Sequence, residues 1–190
     1  MHKLYSWGGG KILEVEIPSW EDWVPELVSQ FQENVKLAKK SHMIGGRWEN
    51  LYLDIDDVPA SRMPIRYARD LGKEALGVSS VILFEPLPGS SDNLAPFWFN
   101  QAAPGESTGL HDHAHLSILS GVVYLSCSKN AGNLFFQQEA EVNLEIMPSV
   151  GKLVLFEPWM SHGVRENLSD EIRLSLAFNL FPFPLPFTNL

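Results

Sequence analysis

The hydrophobic positions follow a helical period in the first part of the chain. Their spacing predicts a helix over about residues 20–40, which Ser19 can cap, and a second helix over about residues 61–76 that ends at Gly77. A short strand with alternating residues is predicted ahead of them, over residues 12–17. The apolar stripes of the two helices are expected to pack on one face of a sheet.

After Gly77 the pattern changes to short apolar or alternating runs separated by Gly, Pro, Asn and Asp. Such runs predict many short strands. They fall near residues 79–85, 95–101, 108–113, 117–126, 133–137, 142–146, 152–156, 161–165 and 171–180. Many short strands with frequent turns are typical of a sandwich or a barrel.

The last residues are rich in Pro and Phe over residues 181–187. Proline cannot donate to a regular strand ladder, so this tail is predicted to lie extended over the surface. Its phenylalanines could cover an edge of the core or contact a partner, and such a tail is compatible with a homodimer.

The length of 190 residues fits one domain, and no repeat or linker interrupts the chain. The sequence therefore predicts a single domain over residues 1–190, with a helical part at about 19–78, a barrel core at about 79–180 and the tail at 181–190. Hydrophobic residues make up 45% of the chain, enough for a substantial core without disulfides.

The formal net charge of −9 argues against broad contact with nucleic-acid backbones or anionic membranes. No stretch approaches the roughly 20 apolar residues of a membrane span, and the first residues lack the apolar run of a signal peptide. The single cysteine, Cys127, can form no internal disulfide. We therefore expect a cytoplasmic protein without nucleic-acid or membrane partners.

Four of the six histidines are concentrated at His111, His113, His115 and His162. Alternate residues of a strand share a face, so His111 and His113 direct two imidazoles toward one point, as do His113 and His115. Imidazole is a ligand for zinc, iron, copper and nickel. The pattern predicts one metal ion between His111, His162 and a third ligand near His113.

A second chemical signal is Arg173, which falls among apolar residues in the predicted last strand. A buried guanidinium is costly unless it meets a carboxylate. That carboxylate could belong to an internal glutamate, or to an anionic ligand held in bidentate fashion with help from the Ser175 hydroxyl.

The order of these residues resembles the 2-oxoglutarate, Fe(II)-dependent dioxygenase superfamily. Its members carry a His-x-Asp/Glu pair, a distal His and, about ten residues later, an Arg-x-Ser. Here His111 is followed by His162 after 51 residues, and Arg173-Leu174-Ser175 begins eleven residues further on.

The stretch from Asn100 through Pro104-Gly105 to His111 is also similar to the alkylation-repair dioxygenases, whose Asn contacts the cosubstrate. The closest resemblance is to a small branch of bacterial and phage 2-oxoglutarate oxygenases. It covers about residues 95–180 and includes Trp98-Phe99-Asn100 and the segment 156–164.

This resemblance implies a mainly β fold, the double-stranded β-helix (a jelly-roll or cupin-like barrel), with the N-terminal helices packed on one sheet. It implies that His111 and His162 bind Fe(II). It also implies that Arg173 and Ser175 hold the distal carboxylate of 2-oxoglutarate and that Asn100 contacts the cosubstrate. Facial ligation leaves three positions open, two for the keto acid and one for oxygen.

The sequence departs from the family pattern at the third ligand, because the usual carboxylate position is His113. The neighbouring Asp112 is expected to point away from a regular strand, although a β-bulge could turn it inward, and His115 is a further alternative. Three neutral imidazoles leave the dication uncompensated until a dianionic cosubstrate binds. Three-histidine iron sites occur in cupin dioxygenases, so the arrangement is chemically allowed.

The sequence thus predicts an Fe(II)- and 2-oxoglutarate-dependent oxygenase that oxidises a small molecule or a peptide, coupled to decarboxylation of 2-oxoglutarate to succinate. Trp98 and Trp159 are interpreted first as core residues, although they could also shape its substrate pocket. One alternative is a cupin-like three-histidine metal protein, either a cosubstrate-independent dioxygenase or a zinc enzyme. Another is a non-catalytic barrel that binds a sugar or a carboxylate ligand.

Overall fold

Two antiparallel sheets pack face to face, and two helices cover the outer side of the larger sheet. The computed structural model describes residues 2–44, 47–85, 96–113, 117–139 and 143–185. The helices are α1 (Trp20–Asn34) and α2 (Arg62–Leu76), with one-turn 3₁₀ helices at Val35–Leu37 and Pro59–Ser61. The strands are β1 (Lys3–Trp7), β2 (Gly10–Glu16), β3 (Lys39–Ile44), β4 (Arg47–Tyr52), β5 (Ser80–Val81), β6 (Phe97–Ala102), β7 (Thr108–His111), β8 (Leu119–Ser126), β9 (Leu134–Phe136), β10 (Leu144–Ile146), β11 (Lys152–Phe156), β12 (His162–Val164) and β13 (Arg173–Pro182).

The larger sheet has the strand order β1-β2-β11-β8-β13-β6-β4-β3, with β5 paired to the end of β13. The smaller sheet has the order β10-β9-β12-β7. Every strand that the pattern predicted after Gly77 is present, although most are shorter than predicted. This is the predicted double-stranded β-helix with two N-terminal helices on one sheet.

The main core lies between the helices and the larger sheet. Helix α1 contributes Trp23, Leu27 and Phe31, whose spacing of four residues places them on one buried face. The ring of Phe31 lies 4.7 Å from that of Phe99 in the central strand β6. A second, smaller core between the two sheets contains Ile12, Leu134, Phe136, Ile146, Val154, Phe156 and Met160.

The predicted end of the first helix, near residue 40, is wrong. Helix α1 ends at Asn34, and Lys39–Ile44 forms β3, which pairs with β4 at the edge of the larger sheet. The sequence signal for this hairpin is the Gly45-Gly46 pair between two short runs. Backbone hydrogen bonds to β4 outweigh the helical spacing of the side chains in this segment.

The prediction for the end of α2 is confirmed, whereas the prediction for the start of α1 is wrong. Gly77 ends α2 as predicted, in the left-handed conformation with φ of 71°, and its N–H donates to the Lys73 carbonyl. Ser19 does occupy the position before α1, but its φ is 52° and its side chain makes no capping hydrogen bond. The predicted cap by the Ser19 hydroxyl is therefore wrong.

The predicted surface tail is wrong for its first two residues. Phe181 and Pro182 continue β13 and pair with Val81 and Ser80, a position at the strand end where proline is tolerated. Phe183 is exposed, and residues 186–190 lie outside the described residues. Within the described ranges, no helix combines the length and the hydrophobicity that crossing a bilayer requires.

Replacing Phe31 by Ala tests the packing of α1 on the sheet. The side chain is 2% exposed, so the substitution leaves a cavity against Phe99 and should lower the free energy of unfolding by about 3–5 kcal/mol. The matched control is Leu37→Ala, since Leu37 is 65% exposed and its loss should cost under about 0.5 kcal/mol. Urea unfolding followed by circular dichroism measures both, and equal effects would contradict the packing described here.

Candidate metal centre

Two strands of the smaller sheet bring His111 and His162 side by side. His111 is the last residue of β7, His162 is the first residue of β12, and the two are direct partners in the antiparallel ladder. Their ring centroids lie 4.4 Å apart. Pairing of two strand ends thus joins two histidines that are far apart in the sequence.

His113 reaches the same point from outside the strand. The strand predicted over residues 108–113 ends at His111, so the alternation expected for His113 does not apply. Its backbone N–H instead donates to the Pro158 carbonyl over 2.7 Å, which holds this segment against the turn before β12. The His113 ring lies 5.0 Å from that of His111 and 4.9 Å from that of His162.

The ligand atoms of the three histidines lie within 4.8 Å of one another. From this spacing, small side-chain rotations bring all three into the coordination sphere of one ion. Asp112 is exposed and lies outside the cluster. His115 lies outside the described residues. The structure therefore brings together the three histidines preferred from the sequence, while their role as ligands stays a prediction.

Backbone carbonyls determine which ring nitrogen of two histidines faces the cluster. The Nδ1 atom of His111 lies 2.9 Å from the Gly109 oxygen, and that of His162 lies 2.9 Å from the Met160 oxygen. A carbonyl only accepts hydrogen bonds, so both Nδ1 atoms carry the hydrogen. Their Nε2 lone pairs are then available to a cation, which is the usual arrangement around metal-binding histidines.

His162 is also held in its neutral form. It is 5% exposed and packs between the Phe156 and Phe136 rings, whose centroids lie 4.5 Å and 6.0 Å away. Burial lowers the pKa of His162 well below its ordinary value, and charge on His111 and His113 acts in the same direction. A neutral imidazole is the form that binds a metal ion.

Arg173 lies in the interior between the two sheets. It is 2% exposed, and its Nη1 atom donates to the Ala131 carbonyl over 2.5 Å and reaches the Arg165 carbonyl at 3.5 Å. The backbone of Gly132 lies close to the guanidinium. Its φ is 91°, and a Cβ atom added at Gly132 would lie 2.8 Å from Nη1 of Arg173. This loop can approach the guanidinium because it carries glycine at that position.

Tyr124 is a neighbour of Arg173 that the sequence reasoning missed. It stands opposite Ser175 in the pairing of β8 with β13, so both side chains are on the sheet face that carries Arg173. The Tyr124 hydroxyl is fully buried and makes no hydrogen bond within the described part of the chain. Burial raises the pKa of Tyr124, while the charge of Arg173 acts to lower it. Alternation from Ser120 to Tyr124 along β8 is the signal that could have identified this residue.

Asn100 has a different environment from the one the resemblance implied. Its Nδ2 atom donates to the Glu49 carbonyl over 2.9 Å and to the Asn50 side chain over 3.0 Å. Both amide hydrogens are therefore used in joining β6 to β4. Contact between Asn100 and a cosubstrate stays a prediction, and only the Oδ1 atom could make it.

The two tryptophans, which were interpreted as core residues with the substrate pocket as the alternative, lie in different surroundings. Trp98 is 8% exposed and meets the His113 ring edge-on at 5.4 Å. Trp159 is 46% exposed and packs against Gly10, where a Cβ atom would lie 2.9 Å from its ring. Trp98 thus borders the histidine cluster, whereas Trp159 packs against the start of β2.

The fold and the three converging imidazoles define a double-stranded β-helix protein with a candidate metal centre. Residues 96–179 match the model of a protein family described as "Putative 2OG-Fe(II) oxygenase". The barrel segment of this chain is therefore similar to this family of oxygenases. The matched segment contains all three histidines of the cluster as well as Arg173 and Ser175.

Solved structures share this fold over most of the chain. The epimerase SnoN, in complex with Fe3+, alpha ketoglutarate and nogalamycin RO, is 13% identical with a TM-score of 0.67, over 90% of this chain and 78% of SnoN. A Pseudomonas putida prolyl-4-hydroxylase is 15% identical with a TM-score of 0.62, over 90% and 92%. A Trichoplax adhaerens prolyl hydroxylase, in complex with a hypoxia inducible factor oxygen degradation domain peptide fragment, is 13% identical with a TM-score of 0.65, over 90% and 83%. At these identities the likeness concerns the fold alone. No curated protein sequence matches the chain significantly.

The depressed pKa of His162 predicts how the stability of the metal-free protein depends on pH. At a pH below 6.5, the ordinary pKa of histidine, His162 is protonated in the unfolded chain but remains neutral in the folded protein. The free energy of unfolding should therefore fall as the pH drops below 6.5, by at most about 1.4 kcal/mol per pH unit for this one group. His162→Gln should flatten this dependence, as measured by urea unfolding between pH 5.5 and 8. Equal slopes in the two proteins would contradict the assignment.

Proposed function

We propose that this protein is an Fe(II)- and 2-oxoglutarate-dependent oxygenase that oxidises a small molecule or a peptide. The single observation that carries this function is the convergence of His111, His113 and His162 in a barrel whose interior also holds Arg173. A cytoplasmic location is part of the proposal, since a chain with one cysteine needs no oxidising compartment.

The three histidines would hold the iron. Two of them, His111 and His162, present Nε2 because backbone carbonyls accept from Nδ1, so their tautomer needs no hydrogen bond to another side chain. Iron and 2-oxoglutarate, when bound, would supply the oxidation chemistry, in which O2 oxidises the keto acid to succinate and carbon dioxide and also oxidises the substrate. The protein contributes position, and it shields two of the imidazoles from water, since Phe156 and Phe136 pack against His162 and Trp98 packs against His113.

Arg173, Ser175 and Tyr124 would hold the distal carboxylate of 2-oxoglutarate. A guanidinium and two hydroxyl groups on one sheet face form a donor set suited to a carboxylate. Leaving a buried hydroxyl without a partner costs about 1–3 kcal/mol, and a bound carboxylate oxygen would remove that cost at Tyr124. The donor chemistry of this pocket therefore fits the cosubstrate.

Three neutral ligands leave two positive charges on a bound ferrous ion, whereas a site with one carboxylate leaves one. The cosubstrate is a dianion, so in this site it supplies charge compensation that the protein does not. Binding of metal and cosubstrate should therefore strengthen each other, by the same factor in both directions.

A three-histidine centre also supports a second candidate, the cosubstrate-independent dioxygenase or zinc enzyme. The observation in its favour is that Asp112 lies outside the cluster, so the described ligand set contains no carboxylate. This candidate does not require an anion at Arg173, which allows the two functions to be separated.

Anaerobic addition of Fe(II) followed by titration with 2-oxoglutarate tests the proposed function. The wild-type protein should develop the visible metal-to-ligand charge-transfer band of a bound keto acid, and Arg173→Ala should weaken its formation at least ~10-fold, because a charge-assisted contact is lost. Arg69→Ala is the control, since Arg69 pairs with Asp70 on the surface. Metal binding without the band would favour the second candidate. Absence of metal binding would favour a non-catalytic barrel.

Replacing Tyr124 by Phe should change cosubstrate binding and stability in opposite directions. Loss of the hydroxyl should weaken the apparent binding of 2-oxoglutarate about 5–10-fold and leave the affinity for metal alone unchanged. In the protein without ligands the same change removes a buried hydroxyl that has no partner within the described residues, so the melting temperature should rise. Isothermal titration and thermal unfolding measure the two effects. An unchanged affinity for 2-oxoglutarate would show that the Tyr124 hydroxyl does not contact the cosubstrate.

A further inference from the structure

His113 differs from the other two histidines in how its ring is held. The Nδ1 atoms of His111 and His162 meet backbone carbonyls two residues earlier in their own segments. The Nδ1 atom of His113 instead lies 3.1 Å from the Ser120 hydroxyl, which donates to the Asn179 Oδ1 atom over 2.7 Å. The ring of His113 is therefore connected to two side chains in the larger sheet.

The hydrogen bonds that connect His113, Ser120 and Asn179 form a relay. The direction of donation in this relay follows from the number of hydrogens on the Ser120 hydroxyl. A hydroxyl group has one hydrogen, and Ser120 gives it to Asn179. Toward His113 the hydroxyl can then only accept, so Nδ1 of His113 carries the hydrogen and Nε2 has the lone pair. If the Asn179 amide were turned, its NH₂ would donate to Ser120, the hydroxyl could donate to Nδ1, and the hydrogen would move to Nε2. A ring with hydrogen on Nε2 cannot bind a cation through that atom.

The relay is built into the sheet. Ser120 in β8 and Asn179 in β13 are direct partners in the antiparallel ladder, and Ser120 is 1% exposed. The Asn179 backbone N–H donates to the Pro96 carbonyl over 2.8 Å, which secures the strand at this residue. Both side chains are therefore presented from paired central strands rather than from a mobile loop.

We propose that Ser120 and Asn179 are positioning residues that keep His113 in the tautomer able to bind metal. This inference rests on the proposed metal role of His113, at the place where the superfamily usually carries a carboxylate. A carboxylate binds a cation in any orientation of its two oxygens, whereas an imidazole needs the correct tautomer. Because histidine stands here in place of a carboxylate, its tautomer must be fixed. The Asn179 oxygen, acting through Ser120, fixes it.

The tautomer of His113 can be read in the metal-free protein by long-range ¹H–¹⁵N correlation spectra at pH 8. The wild-type protein should show hydrogen on Nδ1 for all three cluster histidines. Asn179→Leu, which removes the acceptor, and Ser120→Ala should both shift His113 toward hydrogen on Nε2. His111 and His162 serve as internal references in the same spectra, because backbone carbonyls hold them. Asn179→Asp retains an acceptor and should keep the wild-type tautomer.

Titration with Co(II) alone, followed by its visible absorption, provides a second readout. Asn179→Leu and Ser120→Ala should weaken Co(II) binding about 10–100-fold, the usual effect of losing a partner of a ligating histidine. Asn179→Asp should bind Co(II) at least as tightly as the wild type. The control is Ser61→Ala, since Ser61 is fully buried near the start of α2 and its hydroxyl makes no hydrogen bond within the described residues.

Retention of hydrogen on Nδ1 of His113 in both Asn179→Leu and Ser120→Ala, with Co(II) affinity within twofold of the wild type, would overturn the proposal. Asn179→Leu and Asn179→Asp have side chains of similar size, and only the second retains the acceptor, so the contrast between them does not depend on whether Ser120→Ala folds. Neither readout uses 2-oxoglutarate, so failure of the proposed function is seen separately, in the charge-transfer experiment.

Discussion

The register of β13 between β6 and β8 is the constraint on which the rest of the structure depends. Its residues alternate between a face covered by the helices, where Leu174, Leu176 and Phe178 are buried, and a face toward the smaller sheet that carries Arg173 and Ser175. A shift of one residue would exchange the two faces, which would bury a guanidinium against the helices and lose the apolar contacts. One pattern of alternation thus stabilises the core and positions the polar groups of the candidate site.

The candidate centre combines three neutral imidazoles with an arginine that is buried in the same barrel. Three imidazoles without a carboxylate leave the charge of a ferrous ion uncompensated, and Arg173 is a further positive charge in the same barrel. In the proposed function, a dianionic cosubstrate would supply the negative charge that the three imidazoles lack. Binding of the metal and binding of the keto acid would then strengthen each other.

Much of this protein was accessible from local patterns. The strands after Gly77 and the end of α2 follow from alternation and turn residues, whereas the meeting of His111 with His162 was predicted with the help of the family resemblance. The wrong predictions concern segments whose local pattern favours one conformation while hydrogen bonds to distant strands favour another. Lys39 and Lys40 were predicted to end the first helix but pair with β4, and His113 joins the cluster through a turn rather than through a strand. In both cases, hydrogen bonds to a distant segment decide the conformation of a short one.

By itself, the sequence determined the fold class, the histidines and the arginine, because periodicity and residue chemistry are local properties of a chain. Only the tertiary structure decided which groups surround them. Tyr124 beside Arg173, and Ser120 with Asn179 behind His113, are contacts between separate strands. Such contacts depend on the register of the sheet, which no short stretch of sequence encodes, because strand pairing is settled by the packing of the whole barrel.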